Sequence, residues 1–432
     1  MYWEKDLEIM PREELVKLQR ERLHKTILQA AKTPFYRKQF AKLHITPESI
    51  QTLEDLQNLP FTTKEDLRQG FPFKFLAVPL EEVVRLHSSS GTTGVPTVIY
   101  HSAEDLDRWT NQVARCLYMV GVRKTDVFQN MMSYGLFTGG LGMHYGAERL
   151  GALTIPIGAG NSKRQIWFLQ FFKTTAAHIL PSYALLLANL IKSEGLDPKK
   201  DLNLRIMLIG AEPHSEETRQ RIEELYGAKA YNSYGLSEMN GPGVAFECPY
   251  QNGMHLWEDY YLLEIVNPQT GEPCASGEVG EIVLTTIYRD ATPILRYRTR
   301  DLASFIDEPC PCGRTHRRIS RIQGRSDDMF IVRGVNIFPI QVEKVLMGIP
   351  EVGTNYRIVL EREDYRDVMR VEVEIKSELF LGDLQKLERL RERIQSELRS
   401  EILVTPEVSL VEPGTLPTQE GKAQRVLDQR KF

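Results

Sequence analysis

Apolar positions along this chain fall into four successive patterns. Between residues 5 and 43, Leu15, Leu18, Leu23, Ile27 and Ala30 recur at helical spacing, and Pro34-Phe35 interrupts the run. In residues 46–70, Thr46 and either Thr62 or Thr63 stand ahead of acidic residues, as helix caps do. From about residue 80 to 240, apolar runs (VFQNMM, ALTIPIG, AAHILP, LRIMLIG) alternate with helical segments at 103–120, 163–174, 182–194 and 215–226. Such alternation predicts an α/β sheet with helices on both faces. After residue 257, YYLLEIVN, GEVGEIVLTTI and RYRTRDLASFI read as strands with glycine turns, a β-rich subdomain.

A charged, glycine-bracketed junction, GRSDDMFIVRG, spans 324–334. Beyond it, VNIFPI, TNYRIVLER, RVEVEIK and EVSLVE predict strands, while QVEKVLMG and KLERLRERIQSELRSEI predict helices. The expectation is a short antiparallel sheet covered by two helices. The fold class is therefore α/β: a large domain over 1–326 and a small α+β domain over 327–432. A chain of 432 residues is long for one compact domain, which agrees with two.

Composition narrows the setting. A net charge of −4 advertises no nucleic-acid-binding surface, and no apolar run is long enough to span a membrane. The opening MYWEKDLEIMPREEL is charged from residue 4 onward, unlike a secretory signal, so a cytoplasmic setting is expected. Five cysteines, an odd number, argue against a disulfide framework there. Cys116 and Cys274 read as bystanders. Cys248 and His255 are separated by six residues in ECPYQNGMH, and Cys310-Pro-Cys312 follows. Three thiols and one imidazole form a structural zinc set, with His316 competing with His255 for the fourth place. The CPC spacing is tighter than the usual CxxC.

The chemistry-bearing residues cluster elsewhere. SSSGTTGVPT (88–97) is rich in hydroxyls and side-chain-free amides, suited to wrapping phosphate oxygens, yet no Gly-Lys-Ser/Thr follows. Downstream come GAEP (210–213), YNSYGLSE (231–238), RYRTRD (296–301), GRSDD (324–328) and GTLPTQEGKAQR (414–425). Together, in this order, these segments resemble the adenylate-forming enzymes: acyl-CoA synthetases, adenylation domains and luciferases. YGLFTGGLGMHYGAERLG (134–151), LPFTTKEDLR (59–68) and YNSYGLSEMNGPG (231–243) resemble the phenylacetate–CoA ligase subgroup.

The resemblance implies ATP-dependent joining of an arylacetic acid to coenzyme A through an acyl-adenylate, with release of AMP and diphosphate. It implies an ATP site of Ser89, Ser90, Gly91, Thr92, Thr93 and Gly94, with Gly210, Ala211, Glu212, Pro213, Asn232, Tyr234, Gly235, Ser237, Asp301 and Arg325. Glu238 is a hard oxygen ligand suited to Mg²⁺, and Asp301 can accept from ribose hydroxyls. Lys422 would bring the catalytic cation, and Asp327 would be the hinge on which the small domain turns. Many relatives carry Lys where this chain has Thr97. Tyr134, Phe137, Gly139, Gly140 and Ala211 would form a flat slot for an aryl ring, and Lys64 would reach the acid's carboxylate. The partners implied are small molecules (the acid, ATP and coenzyme A), with a homodimer an open option.

Plainer roles compete for the same residues. Glu238 could serve a helix dipole, Asp301 could pair with Arg298 or Arg300, and Lys422 could be a solvated lysine. His144 and Tyr145 read as packing and hydrogen-bonding residues. Rival functions are a ligase for another aromatic acid such as indoleacetate, an enzyme loading a carrier-protein thiol, and a non-catalytic nucleotide-binding scaffold. Retention of Glu238, Asp301 and Lys422 speaks against the last.

Overall fold

The computed structural model describes all residues except 90–94, 364–365, 380–383, 418–422 and 431–432. It divides into two compact units. The first comprises Met1–Gly158, Thr175–His178 and Tyr231–Arg321; the second comprises Ala159–Thr174, Ile179–Ala230 and Ile322–Phe432.

In the first unit, Arg85–Ser88 and Val98–His101 pair antiparallel, in a register that joins Ser88 to Val98. The helix Ala103–Met119 follows, started by a capping box between Ser102 and Asp105. Its Trp109, Val113 and Leu117 face the core. The strand Val127–Asn130 pairs parallel with Leu153–Ile155 and with Ala176–Ile179, as the α/β alternation requires.

Between the first two of these strands lies a helix that the apolar pattern did not announce, Thr138–Arg149. Its four glycines lower helix propensity and hid it. Two of them explain the packing. A Cβ on Gly142 would come 2.6 Å from the Trp109 ring, and one on Gly146 would come 2.5 Å from Val113. Glycine is what lets this helix lie directly against Ala103–Met119.

The β-rich stretch is antiparallel throughout. Tyr261–Val266, Gly280–Thr286 and Tyr297–Ala303 form a three-stranded sheet. Residues 233–234 lead a second antiparallel run through Ala245–Glu247, Met254–Leu256, Arg318–Ile319 and Phe305–Ile306. The N-terminal helices Arg12–Ala30 and Pro34–Leu43 are separate because Pro34 opens the second one, with Thr33 as its cap. Thr63, not Thr62, caps Lys64–Gln69, and Thr46 makes no cap bond. Buried ion pairs anchor this end: Arg115 to Asp259 at 2.9 Å and Arg314 to Glu8 at 2.6 Å.

In the second unit, the fully buried strand Ile206–Gly210 leads to the helix Glu216–Tyr226. The C-terminal part holds the expected elements with one correction. Val352–Glu363 and Arg366–Ile375 are antiparallel, but Glu407–Val411 and Val426–Asp428 pair parallel on either side. The sheet is mixed because the helix Leu384–Ile402 carries the chain across before the next strand joins. That helix is charged outside, while Leu390, Ile394, Leu398 and Ile402 bury one stripe at four-residue spacing.

Candidate active site and metal centre

The phosphate-loop candidate is closed at its base by two bonds. Ser89 donates its N–H to the Thr97 carbonyl, and Thr97 donates its N–H to Ser89 Oγ, both at 3.1 Å. Ser90, Gly91, Thr92, Thr93 and Gly94 lie outside the described residues. The hydroxyl of Thr97 then donates to Glu238 Oε1 at 3.2 Å, so the loop's base is tied to the expected cation ligand. Among the described residues, Glu238 Oε2 has no hydrogen-bond partner, which suits a carboxylate reserved for a cation.

Glu238 sits on the short turn Ser237–Met239 and is almost fully buried. Arg289 fixes that turn from behind. Its guanidinium donates to the Glu238 carbonyl and to Asn240 Oδ1, both at 2.8 Å, and to the Thr292 carbonyl at 2.6 Å. Burial pulls the Arg289 pKa down to about 10, which still leaves a cation at neutral pH. Nothing in the local sequence singled out Arg289.

Ser237 Oγ lies 3.3 Å from Thr138 Oγ1, at the start of the glycine-rich helix. Asp301 is nearly buried, and Tyr234 donates its hydroxyl to Asp301 Oδ2 at 2.8 Å. Arg298 and Arg300 turn instead to Glu281, at 2.5 and 4.0 Å. The backbone N–H of Asn232 is engaged by Glu247 at 2.7 Å. Gly235 is needed for space, because a Cβ there would come 2.7 Å from Gly241 Cα. Left-handed non-glycine residues cluster near these side chains: Asn240 at φ 55°, Arg296 at 48° and Arg300 at 69°. Strained backbone of this kind persists where surrounding structure holds it, commonly at functional sites.

Tyr134 and Phe137 precede the helix Thr138–Arg149, and Gly139 and Gly140 lie in its first turn. Leu136 and Phe137 are exposed apolar side chains, and the Leu136 carbonyl accepts from the Ser88 N–H and from His87 Nδ1. A Cβ on Gly140 would meet the Ser133 carbonyl at 2.5 Å, so only glycine fits. Burial pushes the Tyr134 phenol up to about 12. Lys64 is exposed at the first position of Lys64–Gln69, and among the described residues no hydrogen bond joins it to this turn.

In the second unit, Gly210 ends its strand, and Ala211 takes a left-handed φ of 64°. The Glu212 carboxylate accepts the Ser182 N–H at 2.6 Å and the Ala423 N–H at 3.4 Å, and burial raises its pKa. Pro213 follows, lining with Glu212, Thr218, Glu343, Tyr356 and Arg425 a cavity of about 280 Å³. Arg325 is paired with the expected hinge residue, Asp327, at 2.9 Å and 3.0 Å. Lys422 lies outside the described residues.

Cys248, His255, Cys310 and Cys312 converge, with their donor atoms all within 4.8 Å of one another. The Cys248 and Cys310 sulfurs are 3.6 Å apart, and Cys312 Sγ is 3.2 Å from His255 Nε2. His255 Nδ1 donates to the His316 carbonyl at 3.1 Å, which turns Nε2 toward the thiols. The competition between histidines is decided by geometry. Both ring nitrogens of His316 are occupied, by the Glu258 N–H and the Leu7 carbonyl, each at 3.0 Å.

Comparison with known proteins gives this arrangement its context. The family described as AMP-binding enzyme matches residues 12–287, and the AMP-binding enzyme C-terminal domain matches residues 334–430. The chain belongs to the AMP-binding enzymes. Within that family it is 44% identical to a phenylacetate-coenzyme A ligase of Thermus thermophilus, over 100% of both chains. It is 41% identical to the phenylacetate-coenzyme A ligase of Escherichia coli, over 97% of this chain and 96% of that one. Among solved structures, a 2-hydroxyisobutyryl-CoA ligase in the postadenylation state matches with a TM-score of 0.93 at 31% identity. That alignment covers 99% of this chain and 92% of the other. Among the described residues, no helix is long and apolar enough to cross a membrane.

Proposed function

We propose that the protein joins phenylacetate, or a close arylacetic acid, to coenzyme A at the expense of ATP. In the first step a carboxylate oxygen of the acid attacks the α-phosphorus of ATP. The bond to the departing diphosphate breaks, leaving an acyl-adenylate. In the second step the thiolate sulfur of coenzyme A attacks the acyl carbon, and AMP leaves. Both partners of the first step are anionic, so charge must be neutralised and the partners held in line.

The observation that supports this proposal is the Thr97–Glu238 bond, which ties the end of the candidate phosphate loop to a buried carboxylate whose second oxygen has no partner among the described residues. Glu238 would hold Mg²⁺, which would offset triphosphate charge. Ser237 and the loop hydroxyls would hydrogen-bond phosphate oxygens. Asp301, oriented by Tyr234, would accept from the ribose hydroxyls. Lys422 would stabilise charge on the carboxylate and α-phosphate, and the 134–140 turn would receive the ring. The 327–432 domain would turn at Asp327 between the two steps. Cys248, His255, Cys310 and Cys312 fit Zn²⁺ by donor type and closeness, and would hold it as a closed structural site. A cytoplasmic enzyme acting on small molecules fits these parts.

A screen of aromatic and aliphatic acids with ATP, Mg²⁺ and coenzyme A, reading AMP and thioester, tests the assignment. Absence of thioester with every arylacetate overturns it. AMP release without thioester points to a carrier-protein acceptor instead. Lys422→Ala is expected to slow adenylation by about 10²–10³-fold, the usual loss of one charge-stabilising donor.

A further inference from the structure

A chain of hydrogen bonds runs behind the aryl slot, and its direction can be fixed atom by atom. Asn130 ends the buried strand Val127–Asn130. Its amide nitrogen donates to the Gly140 carbonyl at 2.7 Å, an oxygen that can only accept. Its amide oxygen faces the Met132 N–H at 3.4 Å, which can only donate, and His178 Nδ1 at 3.1 Å. The orientation of the amide is therefore set from both ends. The same nitrogen reaches the Tyr134 oxygen at 3.0 Å, so Tyr134 accepts there.

The other side of Tyr134 is equally constrained. Its oxygen lies 3.2 Å from His144 Nδ1, and His144 Nε2 lies 3.0 Å from the Glu148 carboxylate. The Glu148 carboxylate can only accept, so Nε2 carries a proton and donates to it, and in that tautomer Nδ1 accepts from the Tyr134 hydroxyl. Tyr134 then donates its only proton to His144, away from the slot.

We infer that the Asn130–Tyr134–His144 relay determines acid specificity by committing the Tyr134 proton to His144, so that the Tyr134 hydroxyl donates nothing into the slot. Asn130 and His144 are positioning residues that act through Tyr134. An unsubstituted ring loses nothing against such a wall. A ring substituent that can only accept, such as a methoxy oxygen, is desolvated there without a partner and is rejected. This inference rests on the 134–140 turn being the acid slot, as proposed above.

The test is kcat/KM for phenylacetate and for its 2-, 3- and 4-methoxy derivatives with His144→Ala, which frees the Tyr134 proton. At least one methoxy isomer is expected to gain about five- to tenfold relative to phenylacetate, the worth of one hydrogen bond. His144→Asn, whose amide oxygen can stand near the Nδ1 position, should restore the original ratio. Adding Tyr134→Phe should abolish the gain. Unchanged ratios for all three isomers, with Tyr134→Phe still altering KM for phenylacetate, overturn the relay and leave the slot standing. If neither variant alters any acid's KM, the slot itself is misassigned. His144→Leu replaces the alanine variant if the latter does not fold.

Discussion

Replacing Glu343 with Ala is expected to separate the two half-reactions. Glu343 lies on the helix Pro339–Gly348. Its Oε1 accepts from the Ser215 N–H at 2.9 Å and the Thr218 hydroxyl at 2.6 Å, at the start of Glu216–Tyr226. Its Oε2 accepts from the Tyr356 hydroxyl at 3.2 Å. Bonds to a carboxylate are worth about 1.5–3 kcal/mol each, but the freed donors would face a cavity that admits water. Rehydration reduces the net loss to roughly 2 kcal/mol, about a 30-fold shift in a two-state equilibrium. In the same arrangement the N–H of Ala423, next to Lys422 in the chain, reaches Glu212 of the GAEP segment. If the small domain turns between steps, these contacts belong to the adenylation side. Glu343→Ala should therefore slow acid-dependent diphosphate release by about 10–30-fold, while thioester formation from supplied phenylacetyl-adenylate keeps its rate. Thr218→Val should do part of the same, and the double variant should fall short of additivity. Equal loss in both half-reactions, with melting temperature unchanged, would refute the reasoning.

Three other outcomes follow from the geometry. Thr97→Val removes the hydroxyl that orients Glu238 and should raise the Mg²⁺ concentration needed for half-maximal AMP formation by about fivefold, one hydrogen bond's worth; an unchanged Mg²⁺ curve would detach Thr97 from the cation site. Elemental analysis of chelator-free protein should find one zinc per chain, and stripping it should lower Tm by about 5–10 °C while adenylation per folded molecule persists. Asp259 is buried, and that cost is outweighed by Arg115 at 2.9 Å, which holds its carboxyl below the usual range. Its contribution is complete above the unfolded value of about 3.9 and is lost as pH falls through the lower folded value. Asp259→Asn should cost about 3–5 kcal/mol at pH 7 and flatten the acid limb below pH 4 in urea titrations; an equally steep limb would reassign the acid transition.

The sequence was most legible where one period dominated. The helix Ala103–Met119 and the strand Ile206–Gly210 fell where their patterns put them. The glycine-rich helix Thr138–Arg149 escaped because its glycines serve contact with Trp109 and Val113, which only tertiary structure reveals. Parallel pairing of Glu407–Val411 was equally hidden, since strand direction is set by the crossover and not by alternation. Residue types pointed to Glu238, Asp301 and the cysteines as candidates, and marked Thr97 only as a missing lysine. They did not point to Arg289 or Asn130, whose importance lies in what they hold. Cysteine spacing left His255 and His316 equivalent, and only the occupied nitrogens of His316 separated them.

Those supporting residues suggest how one site handles two unlike substrates. Thr138 starts the helix that follows the proposed aryl slot, and its hydroxyl meets Ser237, the neighbour of the proposed cation ligand. Thr97 ends the proposed phosphate loop and meets Glu238 itself. The hydrophobic half and the anionic half are thus joined through adjacent residues of one short turn, held from behind by Arg289. A cation built into the loop would neutralise ATP throughout the cycle. Thr97 orients Glu238 without adding charge, which would leave the transition-state cation to Lys422, on a segment proposed to leave before coenzyme A arrives. Departure of that charge would weaken the hold on AMP just when AMP must become the leaving group. Restoring a fixed cation with Thr97→Lys should therefore, at saturating Mg²⁺, spare adenylation and slow thioester formation. Loss of adenylation alone would show that position 97 serves only to orient Glu238.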